Sequence, residues 1–200
     1  MAGSSTASGE VFPAFYLDFA VPEAYLTAER ILSVMPGPCE WVPVAAHELP
    51  GGGWGAWRCA EEREIELSQL ERTAFERRLQ PVRWPTELPF DSTLAVRAAT
   101  FAKGAGKTVA FSLAAFRQAY AGGRDLSVPD NVAIAGAACE IHPRALLQGA
   151  ATRSVTARLE EATETARERG VRAVPAVWVG GEVFHGDDAL ERAAEAAQRS

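Results

Sequence analysis

Apolar residues gather in short runs near the two ends of the chain and recur at helical spacing between them. Phe15-Tyr16-Leu17-Asp18-Phe19 is a nearly unbroken apolar run that predicts a buried strand. Pro22 then stands where proline is best tolerated, at the first position of a helix expected to run to Val34. Met35-Pro36-Gly37-Pro38 stops it. A second strand is expected over Glu40 to Ala45, with Val42 and Val44 on one face and Trp41 opposite. Pro43 restricts that strand to a sheet edge or a bulge, because it cannot donate to a ladder.

Beyond the glycine-rich stretch Gly51 to Gly55, read as a mobile loop at the mouth of a site, Glu61 to Leu79 is expected to be a charged amphipathic helix. Its apolar positions are Ile65, Leu67, Leu70, Phe75 and Leu79, and Pro81 and Pro85 end it. Five more helices are expected near Thr93–Ala105, Thr108–Ala121, Pro129–Ala138, His142–Gly149 and Thr152–Arg169, divided by Gly and Pro signals. Strand periodicity returns only at Ala176 to Val179. Gly180-Gly181 supplies the positive φ angles of a tight hairpin into a final strand, and Asp187 or Asp188 is expected to cap a helix from Ala189 to Gln198. Val174-Pro175 makes a sharp turn into the first strand of the hairpin; spacing alone leaves its isomer open, trans being the commoner form.

The order is therefore βαβ, a helical block, then ββα. A continuous α/β sheet would keep alternating. Two sheet halves around a helical block predict an α/β chain with one small mixed sheet, the layout of a thioredoxin fold with an inserted all-helical subdomain. The sheet domain would comprise residues 11–60 and 171–200, and the inserted subdomain with its connecting helix residues 61–170. Residues 1–10, small and polar, would form a disordered tail.

Composition narrows the function classes. With 48% hydrophobic and 23% charged residues the chain reads as an ordinary globular protein, and a net charge of -6 without a basic run argues against nucleic-acid partners. The start carries neither a secretory signal nor a membrane span, so a cytoplasmic location without membrane association is expected. Cys39, Cys59 and Cys139 are odd in number and widely spaced, which speaks against a disulfide framework and against a metal site. Gly104-Ala105-Gly106-Lys107-Thr108 imitates a phosphate loop but lacks its first glycine, Phe101 standing there. Gly51-x-Gly53-x-x-Ala56 imitates a dinucleotide fingerprint without the strand arrangement it needs. Among the three histidines, His47, His142 and His185, the last lies beside the final turn and is the one expected near a ligand. The tract of Glu160, Glu161, Glu164 and Glu168 with Arg158, Arg167 and Arg169 reads as a solvated helix face.

Three segments together resemble a known family. They are Phe15 through Leu26, Val82-Arg83-Trp84-Pro85 with Leu88-Pro89-Phe90-Asp91-Ser92, and Val174-Pro175 through Asp188. The chain resembles, over nearly its whole length, the DsbA-like branch of the thioredoxin superfamily. Within it the similarity is to the 2-hydroxychromene-2-carboxylate isomerase and kappa-class glutathione transferase group. The resemblance implies glutathione or another small thiol as cofactor, a small-molecule partner, isomerase or transferase activity, and a homodimer. It implies that Val174-Pro175 is cis and that the Val174 backbone pairs with the cysteinyl part of glutathione. Asp187 and Asp188 would hold the γ-glutamyl end, and Trp84-Pro85 would border the site. Val21, Pro22 and Glu23 would form the thiol-facing helix start.

Two departures matter. Asp187 stands where the family more often has Ser or Asn, and Val21 stands where it has the Ser that hydrogen-bonds the glutathione sulfur. A hydrogen bond to a charged acceptor is worth roughly 1.5–3 kcal/mol, about one to two pKa units on a thiol. Activation is thereby weakened, although the helix start still offers the N–H groups of Glu23 and Ala24 and its positive dipole end. Val21 to Ala24 contains no Cys-x-x-Cys, so disulfide exchange at this turn is excluded. Two readings follow: a glutathione-dependent isomerase or transferase with impaired thiol activation, and a catalytically silent thioredoxin-fold binding or scaffold protein. Either requires the start of the first helix to meet the Val174-Pro175 turn, some 150 residues away.

Overall fold

The computed structural model describes residues 12–56 and 58–199, so the tail expected over residues 1–10 lies outside the described residues. Four short strands form one mixed sheet in the order β2-β1-β3-β4. β1 is Ala14–Leu17, β2 Glu40–Pro43, β3 Ala176–Val179 and β4 Glu182–His185. β1 pairs parallel with β2 and antiparallel with β3, with Tyr16 opposite Val42 and Ala176. β2 is an edge, and its Pro43 therefore costs no inner ladder bond. Gly180 and Gly181 take φ of 56° and 98°, the positive values that the β3–β4 hairpin requires.

β1 ends two residues earlier than the apolar run suggested. Asp18 leaves the ladder and folds its carboxylate back onto the N–H groups of Ala20 and Ala46, each at 2.9 Å. That turn launches α1, Pro22–Val34, whose bounds agree with the sequence expectation. α2 spans Ala60–Glu76 and buries Leu70 and Ala74. Two positions expected on its inner face point outward instead, Ile65 at 59% and Phe75 at 83% exposure. Each helical step turns the chain by about 100°, so a stripe through Leu70 and Ala74 necessarily swings Phe75 aside.

α3 (Thr93–Gly104), α4 (Thr108–Tyr120), α5 (Pro129–Ala138), α6 (Pro143–Ala150) and α7 (Arg153–Glu168) make up the helical block. It joins the sheet half without a break in the buried cluster. Much of the join is aromatic: Phe19 and Tyr25 meet Phe116 and Tyr120 of α4 at centroid distances of 4.8 to 6.4 Å. Tyr120 also donates its hydroxyl to the Phe19 carbonyl at 2.7 Å. α8, Leu190–Arg199, closes the chain against α1 and β3. Among the described residues no helix is long and apolar enough to cross a membrane.

Candidate functional site

The site is built around the first turn of α1. Val21 is its N-cap, extended at φ -106° and ψ 104°, and a valine side chain offers no oxygen to the open N–H groups. The backbone partly compensates, with Val21 N–H donating to the Asp18 carbonyl at 3.3 Å and Ala24 N–H to the Val21 carbonyl at 3.0 Å. Of the two N–H groups expected to face a ligand, that of Ala24 is therefore engaged, and that of Glu23 makes no such bond among the described residues.

The Val174–Pro175 peptide is cis, as is Leu88–Pro89. The segment before Pro175 is gripped from two sides. Arg172 donates its N–H to His185 Nε2 at 3.0 Å, and its carbonyl accepts from Gly51 N–H at 2.6 Å. A Cβ at Gly51 would stand 2.7 Å from that carbonyl oxygen, so glycine is what allows the loop to dock.

Val21 and Glu23, the loop from Gly51 to Ala56, and Ala173 with Val174 line one hollow of about 360 Å³. The two distant segments do come together. Arg58 and Glu66, an ion pair, close part of its rim. An adjoining hollow of about 290 Å³ shares Val21, Gly53 and Trp54, and reaches Asp18, His47 and the segment Pro89 to Thr93. Trp54 is the wall common to both. Its residue is 7% exposed, and its Nε1–H is buried with no hydrogen-bond partner among the described residues. Sequence reasoning passed over it, although it is the one aromatic residue inside the glycine-rich stretch.

Asp18 was also missed as a site residue. Burial pushes its carboxyl above the ordinary range, against the hydrogen bonds from Ser92, Ala20 and Ala46. His47, not His185, is the histidine that lines a hollow. The environment of His185 lowers its pKa, through burial first and the nearby Arg172 charge second.

The acidic pair at the last turn behaves differently from a cap. Gly186 holds the N-cap position of a 3-10 turn, Asp187–Ala189, that precedes α8, and no side chain caps it. Asp187 is 4% exposed and turns toward α1. It accepts from Thr27 Oγ1 at 3.2 Å and pairs with Arg30 at 3.3 Å and with Arg77 at 2.5 Å. Two guanidinium partners outweigh one backbone N–H, so the carboxylate turns to Arg30 and Arg77 instead of capping the last helix. The Asp187 N–H is itself occupied, donating to Glu23 Oε1 at 2.8 Å. Burial raises the Glu23 pKa; the Asp187 N–H opposes this, and the Asp187 and Glu66 charges add to it. Asp188 is exposed. Trp84 donates Nε1–H to Glu71 and sets its ring edge-on to Tyr120 at 5.9 Å. Pro85 is buried, and neither Trp84 nor Pro85 lines the two hollows.

A profile of DsbA-like thioredoxin domains matches residues 15–198. The chain belongs to the DsbA-like thioredoxin family. Solved structures share the fold of this DsbA-like chain at low identity. A 2-hydroxychromene-2-carboxylate isomerase is 19% identical with a TM-score of 0.81, covering 94% of this chain and 95% of the other. A probable DsbA oxidoreductase from Streptomyces coelicolor is 16% identical at 0.75, covering 94% and 88%. The cytosolic disulfide reductase DsbM from Pseudomonas aeruginosa, solved with GSH, is 14% identical at 0.62, covering 95% and 100%. No curated protein sequence matches this chain.

The thiols of this DsbA-like protein lie outside the site. Burial pushes Cys39 up to about 12 and also raises Cys139, while Cys59 is exposed at the start of α2. The phosphate-loop imitation is a helix connection in which Lys107 Nζ donates to the carbonyls of Cys139 and Glu140 at 2.8 and 3.2 Å.

Proposed function

We propose that the chain binds a small thiol, alone or with an aromatic acid, in the paired hollows between Val21, Trp54 and Val174, and that it is related in chemistry to glutathione-dependent isomerases. The observation that carries this reading is the hollow in which the positive end of α1 meets Val174, with Trp54 in its wall and the Trp54 Nε1–H buried without a partner among the described residues. A buried donor without a partner costs roughly 1–3 kcal/mol, which a ligand acceptor would recover once the indole turned its N–H to the hollow. The likeness to an isomerase and to a disulfide reductase solved with GSH supports the same class of ligand.

In the reaction, a thiolate sulfur adds to the unsaturated carbon of an enone-like aromatic substrate, and the π electrons move onto the carbonyl oxygen. Rotation about the resulting single bond follows. The carbonyl then re-forms, the carbon–sulfur bond breaks, and the thiolate leaves unchanged, so no oxidant or reductant is consumed. Glu23 already accepts the Asp187 N–H, which favours a thiol lacking a γ-glutamyl tail over glutathione anchored there. The three free cysteines accord with residence in the cytoplasm.

A second reading is a silent binding or scaffold protein, favoured by Val21, which provides no hydroxyl at the helix start. Calorimetric titration with glutathione, cysteine and N-acetylcysteine, followed by isomerase and transferase assays, separates the two. Binding with turnover supports the enzyme and binding without turnover the silent protein. Absence of binding to every thiol, with or without an aromatic acid present, overturns the thiol-site reading and leaves the silent scaffold.

A further inference from the structure

A third hollow of about 440 Å³ lies on a different part of the sheet, between β1, β2, the end of α3 and α7, and shares no lining residue with the two at Val21. Its floor is apolar, made by the Tyr16 ring with Val42 and Pro43. Donors converge on it. Arg169 sits with its guanidinium carbon 4.2 Å from the centre of the Trp178 ring and donates Nη1–H to the Tyr16 hydroxyl at 2.9 Å. Those two contacts fix the guanidinium and engage one of its five N–H groups. Tyr16 is 1% exposed, its oxygen accepts from Arg169, and no hydrogen bond from its own O–H is made to the described residues. Burial, opposed by Arg169, raises the Tyr16 pKa, so the hydroxyl remains a donor.

The charges around the hollow nearly balance. Lys103 and Glu40 neutralise each other at 2.7 Å. Arg158, held through Nε on the Ser154 carbonyl, and Arg169 remain against Glu161, leaving one positive charge over. We propose that this hollow is a second ligand site, taking a small monocarboxylate with an apolar body. The carboxylate accepts from the N–H groups of Arg169 that Tyr16 leaves over and from the Tyr16 O–H, and the body lies on Val42 and Pro43. Arginine held in one orientation is the side chain best suited to a carboxylate, and the volume falls in the range of small-molecule sites. The assignment does not depend on thiol binding at Val21.

The test uses 2-naphthoate as probe and 2-naphthalenemethanol as its neutral counterpart, measured by calorimetry and by amide chemical-shift mapping on the full chain. Naphthoate is expected to bind, the alcohol about 10-fold more weakly, with shifts centred on Tyr16, Val42 and Arg169. Arg169→Gln should weaken the binding that produces those shifts about 10-fold and Tyr16→Phe about 5-fold, while Trp54→Phe leaves the shifts at Tyr16, Val42 and Arg169 unchanged. If Arg169→Gln fails to fold, the exposed Arg158→Gln should still weaken binding about 3-fold. The proposal is overturned by no binding at millimolar naphthoate, by equal binding of the alcohol, or by shifts and losses that follow Trp54 instead of Arg169.

Discussion

Two places beside α1 bury polar groups to a similar degree and treat them in opposite ways. Asp187, 4% exposed, has every want met by the chain itself, with Thr27, Arg30 and Arg77 on its carboxylate and Glu23 on its N–H. Trp54, 7% exposed, lines two hollows and has its one donor unmet among the described residues. Proximity to a site does not make a residue available to a ligand. The closed cluster holds the last turn of the fold onto α1, and the open one is where a ligand has something to gain.

The largest expected effect tests the closed cluster. Asp187→Ala strands Arg77, leaves Arg30 with Glu191 alone, and should lower unfolding stability by about 3 kcal/mol, read from urea denaturation. A loss below about 1 kcal/mol would mean that the cluster is as loose as an ordinary surface pair and that the contrast is misplaced. Trp54→Phe comes next. It removes a donor that has no partner, so only the lost packing counts, about 1 kcal/mol, whereas thiol affinity should drop about 10-fold in the same calorimetric titration. Equal affinity in the variant would disconnect the indole from binding.

Val21→Ser should change stability by less than about 1 kcal/mol, since a better N-cap offsets lost apolar burial. Its informative readout is turnover: isomerase activity appearing only in this variant would identify the missing hydroxyl as the defect. The smallest effect concerns His185. A histidine whose pKa is depressed in the folded state takes up protons more readily when unfolded, so its contribution is complete above the ordinary value of 6.5 and fades as pH falls through the lower folded value. Protonation also removes the acceptor of the Arg172 N–H. The protection of the Arg172 amide, taken relative to its intrinsic exchange rate at each pH, should therefore fall below neutrality, and His185→Gln should remove that dependence.

Much of the fold was legible because its signals are local. Pro22, the Gly180-Gly181 pair and the breaks between helices determine element bounds without help from distant residues, and α1, α5 and β3 fall where periodicity placed them. The meeting of Val21 with Val174 was reachable only through family resemblance, since no local rule joins segments so far apart. The role of Asp187 was illegible for the same reason. A cap is inferred from the next three residues, but its actual partners, Arg30 and Arg77, lie more than a hundred positions earlier. On α2, Phe75 counted as apolar without regard to phase, and Ala74, too small to register, is the residue buried there.

One residue carries a consequence for the paired hollows. Arg172 is fastened by its nitrogen to His185 and by its oxygen to Gly51, so the last hairpin, the segment before Pro175 and the glycine loop hang from a single hinge pin. Slackening either fastening frees two walls together, and the doorway to Trp54 widens as one movement.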